Sequence, residues 1–165
     1  MHEEMRRLTA AFAGDWAGTD AVLPSPFNPG GPGPNSVGVA RMIVRPALNG
    51  HHLVLDYVLD RGEAGAFTAH GVLTWDPDVA VHLLFWFDDM GYVPATPAPG
   101  LWGPVEGAEE AGAEGYTFIR TSPRGRARHR YWWPVPDHME TAIDRSTDGG
   151  LTWTPFLKGS YRRQA

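Results

Sequence analysis

The sequence predicts an all-β fold, an up-and-down antiparallel β-barrel of about nine to ten strands with a short N-terminal helix. After Gly14, almost no segment has the three- and four-residue apolar spacing of a helix. The chain continues instead as short β-type runs separated by Gly, Pro, Asp and Asn. Most joints between the runs are tight, and a meander of this length usually closes into a barrel because closure removes exposed sheet edges.

The helix is predicted over Glu3 to Phe12, where Met5, Leu8 and Phe12 share one face. It is expected to end near Gly14. The predicted strands follow in order: Asp15 to Leu23, Val37 to Pro46, His51 to Asp60, Ala66 to Trp75, Val79 to Asp88, Gly115 to Thr121, Arg126 to Trp133, Glu140 to Asp144 and Thr152 to Tyr161.

The connections favour a barrel over its main rival, an immunoglobulin-like sandwich. Asn49-Gly50, Arg61-Gly62 and Asp76-Pro77-Asp78 are tight joints, whereas a sandwich needs longer crossing connections in mid-chain. The Pro/Gly-rich stretch from Pro24 to Ser36 is predicted to be a loop over the barrel mouth. Tyr92 to Gly103 is broken by prolines, so that an edge, a bulge or a lid is expected there.

Composition limits the function classes. The length of 165 residues fits one domain, 1–165, and 42% hydrophobic with 20% charged residues is ordinary for a globular protein. A net charge of −5 argues against a nucleic-acid partner. The absence of cysteine excludes thiolate chemistry. The sequence has neither the apolar core of a signal peptide nor an apolar run long enough for a membrane span, which predicts a cytoplasmic protein without a membrane partner.

Several motifs occur in an order that resembles a known family. Gly14-Asp15-Trp16 resembles the Gly-x-Trp opening of the calycin superfamily, which holds lipocalins, fatty-acid-binding proteins and nitrobindin-like haem barrels. Nearly the whole chain resembles DUF1579, a bacterial family of unknown function placed near the calycins. The other matching motifs are Leu73-Thr74-Trp75-Asp76, Phe85-Trp86-Phe87-Asp88-Asp89-Met90-Gly91, Asp148-Gly149-Gly150-Leu151-Thr152-Trp153 and Tyr161-Arg162.

The resemblance implies two structural roles. The first-strand tryptophan of calycins plugs one barrel end against a basic side chain of the last strand, which here implies Arg162 or Arg163 over Trp16. Nitrobindin-like barrels carry a proximal haem histidine late in the chain. His129 or His138 is the candidate for that role, although the surrounding residues do not match the nitrobindin pattern.

A stripe of arginines orients one strand. Arg124, Arg126, Arg128 and Arg130 recur at every second position, which places them on one face, predicted to be the solvated outer face. The opposite face is then the inner one. It carries these residues: His129, Tyr131 and Trp133.

Two further strands supply the remaining candidates. In His51 to Asp60, Tyr57 shares its face with leucines and is predicted to point inward. In Val79 to Asp88 both faces are apolar, so both must be covered. We assign Phe85 and Phe87 to the cavity and expect the other face to meet the helix or a second subunit, which makes a homodimer plausible.

Three motifs are interpreted as structural. Ser146 to Trp153 fits the Asp-box pattern of sialidases, which in a single copy predicts a β-hairpin rather than a glycosidase. Gly30 to Gly33 lacks the Lys-Ser/Thr of a phosphate-binding loop. The histidines do not converge in threes on the predicted register, so no metal site and no bound cofactor are predicted.

The sequence therefore predicts a binding protein for a small apolar or aromatic molecule in the barrel cavity. The predicted ligand-binding residues are Tyr57, Phe85, Phe87, His129, Tyr131 and Trp133. The alternative is an enzyme on the same scaffold, of the cyclase or isomerase type. In that alternative His129 is the general acid or base and Tyr57 or Tyr131 donates a hydrogen bond. A haem-binding barrel is the third possibility.

Overall fold

The computed structural model describes residues 1–24, 36–91, 95–108 and 112–165. Its elements are α1 (Glu3–Phe12), β1 (Gly14–Val22), β2 (Ser36–Ala47), β3 (His52–Asp60), β4 (Ala66–Asp76), β5 (Val81–Asp88), β6 (Ala98–Pro104), β7 (Glu114–Ser122), β8 (Gly125–Val135), β9 (His138–Ser146) and β10 (Thr154–Arg163). The predicted loop over the mouth lies almost wholly outside the described residues. Among the described residues, no helix has the length and apolarity needed to cross a bilayer.

The strands form one closed antiparallel barrel, which confirms the predicted fold class. Each strand pairs with its neighbours along the chain, and β1 pairs with β10 to close the ring. The period of two that predicted strands also sets the inner face. In β3, for example, Leu53, Leu55, Tyr57 and Leu59 are buried while the residues between them are more exposed.

The proline-broken segment before β7, for which an edge, a bulge or a lid is expected, contains a tenth strand, β6. Its ladder with β5 holds only three residue pairs, His82–Gly100, Leu83–Pro99 and Leu84–Ala98. Proline has no backbone N–H to donate, which is the physical reason that a strand containing prolines pairs over a short length.

Helix α1 closes one end of the barrel. It does not cover the outer face of β5, although the helix was one of the two partners expected for that face. Its buried side chains are Met5, Leu8 and Phe12. The Phe12 ring lies 5.2 Å from the Tyr131 ring and 4.9 Å from the Trp133 ring, centroid to centroid. Such edge-on aromatic contacts stabilise the closed end beyond the burial of apolar area.

Trp16 forms the floor at this end. Its indole N–H donates to the Phe12 carbonyl at 2.8 Å, so that helix and floor are joined by a buried hydrogen bond. The Arg163 guanidinium lies 4.3 Å from the centre of the Trp16 ring and also donates to the Ala13 carbonyl. Arg163, and not Arg162, therefore packs against Trp16 and closes this end. Any opening lies at the opposite end of the barrel.

Arg126, Arg128 and Arg130 of β8 face outward as predicted, whereas Arg124, in the turn before β8, lines the barrel cavity. The expectation of a solvated face is also wrong for Arg128 and Arg130. Arg130 is only 6% exposed and its Nη2 lies 2.6 Å from Asp144. Arg128 contacts the same carboxylate at 3.0 Å and Glu106 at 2.8 Å. Because the segment after β6 covers this surface, the buried Asp144 carboxylate needs both cations to compensate its desolvation.

The Asp-box motif is a hairpin turn between β9 and β10, as predicted. Asp148 accepts hydrogen bonds from the Thr152 backbone N–H at 2.9 Å, the Thr152 hydroxyl at 2.5 Å and the Ser146 hydroxyl at 2.7 Å. These donors hold the pKa of Asp148 below its usual range. The Trp153 ring lies 4.6 Å from the Arg128 guanidinium, so the hairpin also covers the outer arginines.

Candidate ligand cavity

A cavity of about 320 Å³ lies inside the barrel at the end opposite the Trp16 floor. The strand ends that form it are those of β1, β3, β5, β7 and β9, together with the first residues of the strands that follow them. Its apolar lining includes Val22, Met42, Leu59, Phe67, Trp86, Ile143, Phe156 and Leu157. Its polar lining includes Asp20, Tyr57, Arg61, Asp88, Asp89, Arg120, Arg124, His129, Tyr131, Thr141, Arg145 and Tyr161.

One wall of the cavity is aromatic. The Tyr57 ring lies 6.1 Å from Phe67 and 6.0 Å from Trp86, and the Trp86 ring lies 6.0 Å from His129, centroid to centroid. Tyr57, Phe67 and Trp86 come from the consecutive strands β3, β4 and β5, and His129 comes from β8. Flat apolar molecules pack well against such a wall.

A carboxylate held by two phenols lies in the same cavity. Asp20 is 1% exposed, and one of its oxygens accepts hydrogen bonds from Tyr161 at 2.6 Å and from Tyr57. Burial raises the pKa of the Asp20 carboxyl to about 6, although both tyrosine hydrogen bonds act in the opposite direction. Burial, followed by the Asp20 charge, raises the pKa of both tyrosines, so the phenols stay protonated and serve as donors.

Gly159 makes room for this carboxylate. It is the cross-strand partner of Asp20, and a Cβ at residue 159 would overlap the second carboxylate oxygen, Oδ1. That oxygen is buried and has no hydrogen-bond partner among the described residues. The glycine is therefore required by close approach and not by backbone conformation, since its φ lies outside the left-handed region.

His129 is a neutral imidazole in the cavity. Burial, assisted by the charges of Arg120 and Arg145, lowers the pKa of His129 to about 3. Its Nδ1 has no hydrogen-bond partner within the described part of the chain. So low a pKa makes His129 a poor general base near neutral pH, whereas Asp20 has a pKa nearer the range that acid–base catalysis uses.

Arginines also face the cavity. Arg120 on β7 and Arg145 on β9 are both cross-strand partners of Ala127 on the intervening strand β8. The Arg145 guanidinium lies 4.5 Å from the centre of the Phe156 ring. Arg61 and Arg124 line the cavity nearer to the connections between strands. The open end of the cavity therefore carries cations, and the region around Asp20 carries an acid with phenols.

The structure brings three of the six predicted site residues together. Tyr57, His129 and Tyr131 all line the cavity. Trp133 belongs to the same barrel face but packs beside Phe12 at the closed end, so it does not line the cavity.

The assignment of Phe85 and Phe87 to the cavity is wrong. Both point outward, Phe87 is 42% exposed, and Trp86 between them lines the cavity instead. Both faces of β5 are apolar, so the alternation of hydrophobic and polar residues contained no information about which face is inside. The buried partners across the sheet, such as Gly71 opposite Trp86, decide the orientation.

The sequence analysis missed Asp20, Arg120, Arg145 and Tyr161. Asp20 could have been found, because Trp16, as the floor, fixes the inward face of β1, and every second residue after it shares that face. The two arginines had no such signal, since their inward position follows from cross-strand register with Ala127, which the sequence does not give.

A cluster of His138, Glu140 and Ser160 lies outside the cavity. The His138 Nε2 is 2.9 Å from the Ser160 hydroxyl and 2.5 Å from Glu140, and Ser160 donates to Glu140 at 2.7 Å. A nucleophile–base–orienter series needs the serine and the carboxylate on different imidazole nitrogens, and here both are on one. The outward position of His138 also separates it from any group bound in the cavity.

Within the described residues, no three His, Asp or Glu side chains are placed to hold a metal ion. This observation agrees with the divergent histidine positions. His70, for example, pairs with Phe87, whereas His82 pairs with Trp75.

Comparisons with known proteins identify the family of the chain. A family model described as "Protein of unknown function (DUF1579)" matches residues 2–163. The chain belongs to this family. Among solved structures, the DUF1579 chain is similar to the S-type phycobiliprotein lyase from Guillardia theta, with a TM-score of 0.60 and 12% sequence identity over 97% of this chain and 92% of that chain. At that identity the similarity shows a shared fold. Comparison with curated proteins yields no match for this DUF1579 chain.

Proposed function

We propose that this DUF1579 protein binds a small, largely apolar or aromatic molecule in the barrel cavity. The observation that carries the proposal is a cavity of about 320 Å³ with an aromatic wall and a few convergent polar groups. Small-molecule sites are concave, predominantly apolar and roughly 300–1,000 Å³ in volume.

The size of the cavity supports the proposal. Protein interiors pack with few voids larger than a water molecule, and an unfilled apolar space lowers stability. The closed half of the barrel obeys this rule, since Phe12, Trp16 and Tyr116 are fully buried there. The contrast between the packed end and the end that holds the cavity supports ligand binding at the latter.

Acid–base catalysis in the same cavity is a second candidate, and the pKa of about 6 at Asp20 favours it. This assignment replaces His129, whose low pKa disfavours it as the base. If the bound molecule is converted, Asp20→Asn should abolish its conversion and leave its binding in place, as judged by chromatography of the molecule after incubation. Haem binding, the homodimer and the cytoplasmic location remain predictions from the sequence.

The binding proposal is tested by titrating the protein with a panel of apolar and aromatic compounds while tryptophan fluorescence and melting temperature are measured. A ligand should change the fluorescence saturably, and the change should be much smaller in Trp86→Phe. Trp153→Phe is the matched control, because this tryptophan lies outside the barrel over Arg128. If no compound raises the melting temperature or changes the fluorescence, the proposal is wrong.

A further inference from the structure

We infer that the cavity selects aromatic molecules that carry a neutral oxygen acceptor, such as a carbonyl, and that the Tyr131 hydroxyl donates a hydrogen bond to that oxygen. The inference rests on the proposed ligand binding and names the class of ligand. It is carried by the register of four strands, the hydrogen-bond partners of the cavity hydroxyls and the charge of Asp20.

The register places Tyr131 and Asp20 in one row across four neighbouring strands. Tyr131 on β8 lies opposite Thr141 on β9. Thr141 also lies opposite Gly159 on β10, which in turn lies opposite Asp20 on β1. Because the two intervening residues are small, no large side chain of this row separates the phenol from the carboxylate.

Tyr131 lies at the deep end of the cavity. His129 and Tyr131 on the inner face of β8 both line the cavity, whereas Trp133, two residues further along, packs against Phe12 at the closed end. The Tyr131 ring lies edge-on to Phe12 at 5.2 Å and to Phe118 at 6.3 Å, centroid to centroid. These aromatic contacts fix the ring, so that its hydroxyl is held in one place for a ligand.

The hydroxyl of Tyr131 is the one in the described cavity lining that the protein does not engage. The phenols of Tyr57 and Tyr161 both donate to Asp20, and the Thr141 hydroxyl donates to a backbone carbonyl of β8 at 3.0 Å. Among the described residues, no group forms a hydrogen bond with the Tyr131 hydroxyl, although the residue is only 5% exposed. A buried donor without an acceptor costs free energy, and a ligand oxygen that accepts from it recovers that cost.

The charge of Asp20 favours a neutral acceptor over an anionic one. Burial, followed by the negative charge of Asp20, raises the pKa of the Tyr131 phenol, so the hydroxyl stays protonated and donates. The same charge that disfavours a phenolate at Tyr131 disfavours an anionic group placed beside it. A carboxylate or a sulfonate is therefore disfavoured at this depth, whereas the oxygen of a ketone, an ester or an amide accepts the hydrogen bond without that repulsion.

The test uses two fluorescent probes on the full chain, propionyl-dimethylaminonaphthalene and propyl-dimethylaminonaphthalene, which differ in the carbonyl oxygen. Tyr131→Phe should weaken binding of the carbonyl probe about three- to tenfold and leave binding of the propyl probe unchanged, because one neutral hydrogen bond is lost. The emission of the bound carbonyl probe should also shift to the blue in this variant, since a hydrogen bond to its carbonyl shifts the emission to the red.

Tyr116→Phe is the matched control. Tyr116 lies opposite Tyr131 on β7, is fully buried and packs near Phe12, and it lies outside the cavity lining. This variant removes a buried phenol hydroxyl at the closed end, so both probes should bind to it as they bind to the wild type. The corresponding naphthoate, in which a carboxylate replaces the propionyl group, should bind the wild type more weakly than the carbonyl probe. Equal or tighter binding of the naphthoate would overturn the preference for a neutral group.

The outcomes separate this inference from the proposed function. If the carbonyl probe binds Tyr131→Phe as tightly as the wild type, or if both probes lose affinity equally, the role of Tyr131 is overturned and ligand binding stands. Failure of both probes to bind the wild type would count against the proposed function and this inference together. If circular dichroism shows that Tyr131→Phe does not fold, the infrared carbonyl band of the probe bound to the wild type decides instead. A band lowered from its position in an aprotic solvent supports the hydrogen bond, and an unshifted band contradicts it.

Discussion

The two buried titratable groups of the cavity should have opposite and separable effects on stability in mild acid. The pKa of Asp20 is raised from 3.8 to about 6, and the pKa of His129 is lowered from 6.5 to about 3. Between about pH 4 and about pH 6 the folded protein therefore has Asp20 protonated and His129 neutral, whereas the unfolded chain has the reverse. Folding in this window transfers a proton from one side chain to the other and takes up almost none.

The sign of each contribution follows from the direction of its pKa shift. The raised pKa of Asp20 gives a contribution that is full below pH 3.8 and is lost as the pH rises through about 6. The lowered pKa of His129 gives a contribution that is full above pH 6.5 and is lost as the pH falls towards 3. Each group alone changes the free energy of unfolding by about 1.4 kcal/mol per pH unit, and in the wild type the two nearly cancel.

Single variants should reveal the two opposite pH dependences of the free energy of unfolding that cancel in the wild type. From about pH 5.5 to about pH 4.5, His129→Gln should gain about 1 kcal/mol relative to the wild type, and Asp20→Asn should lose about the same. Urea unfolding followed by tryptophan fluorescence at each pH measures both, and the other titrating groups are common to all three proteins. If the two variants keep the slope of the wild type, the assigned protonation states of the cavity are wrong.

Three further predictions concern a glycine beside the cavity, an arginine at the barrel floor and an aspartate in the β9–β10 hairpin. Gly159→Ala should destabilise by about 1–3 kcal/mol, because its Cβ overlaps the Asp20 carboxylate; a melting temperature equal to that of the wild type would contradict the packing argument. Arg163→Leu should cost about 1–2 kcal/mol in urea unfolding through loss of its contacts at the barrel floor, whereas Arg162→Leu next to it should cost little. Asp148→Ala should lower the melting temperature, because the β9–β10 hairpin loses three hydrogen bonds, and should leave ligand affinity unchanged, since Asp148 lies outside the cavity; a change in affinity measured by titration would disprove that separation.

The inward face could be predicted from the sequence for a strand with one apolar face. It could not be predicted for a strand with two apolar faces. In β3 the leucines and Tyr57 share one face, while Asp56 and Asp60 share the other, so the inward position of Tyr57 followed directly. In β5 both faces are apolar, and the choice of Phe87 over Trp86 was wrong. Only the register with β4 contains that information, and register is a property of two strands together.

The environment of the arginines could not be predicted from their pattern in the sequence either. The alternate arginines from Arg124 to Arg130 indicated a solvated face, yet the structure buries Arg130 against Asp144, a residue of the next strand. In contrast, Arg120 and Arg145 stood out in no pattern, and they line the cavity because both lie opposite Ala127. The functional meaning of an arginine here depends on its cross-strand partner, which local sequence does not specify.

The two ends of the barrel differ in packing, which is why ligand binding is proposed for only one of them. At the closed end helix α1, the hydrogen bond from Trp16 to Phe12 and the contact of Arg163 with the Trp16 ring fill the interior. At the open end the inward positions hold His129, Arg120 and Arg145 around a cavity of about 320 Å³. A cavity with polar groups on its wall, at the end that the floor does not close, is therefore where the proposed ligand binding should be tested first.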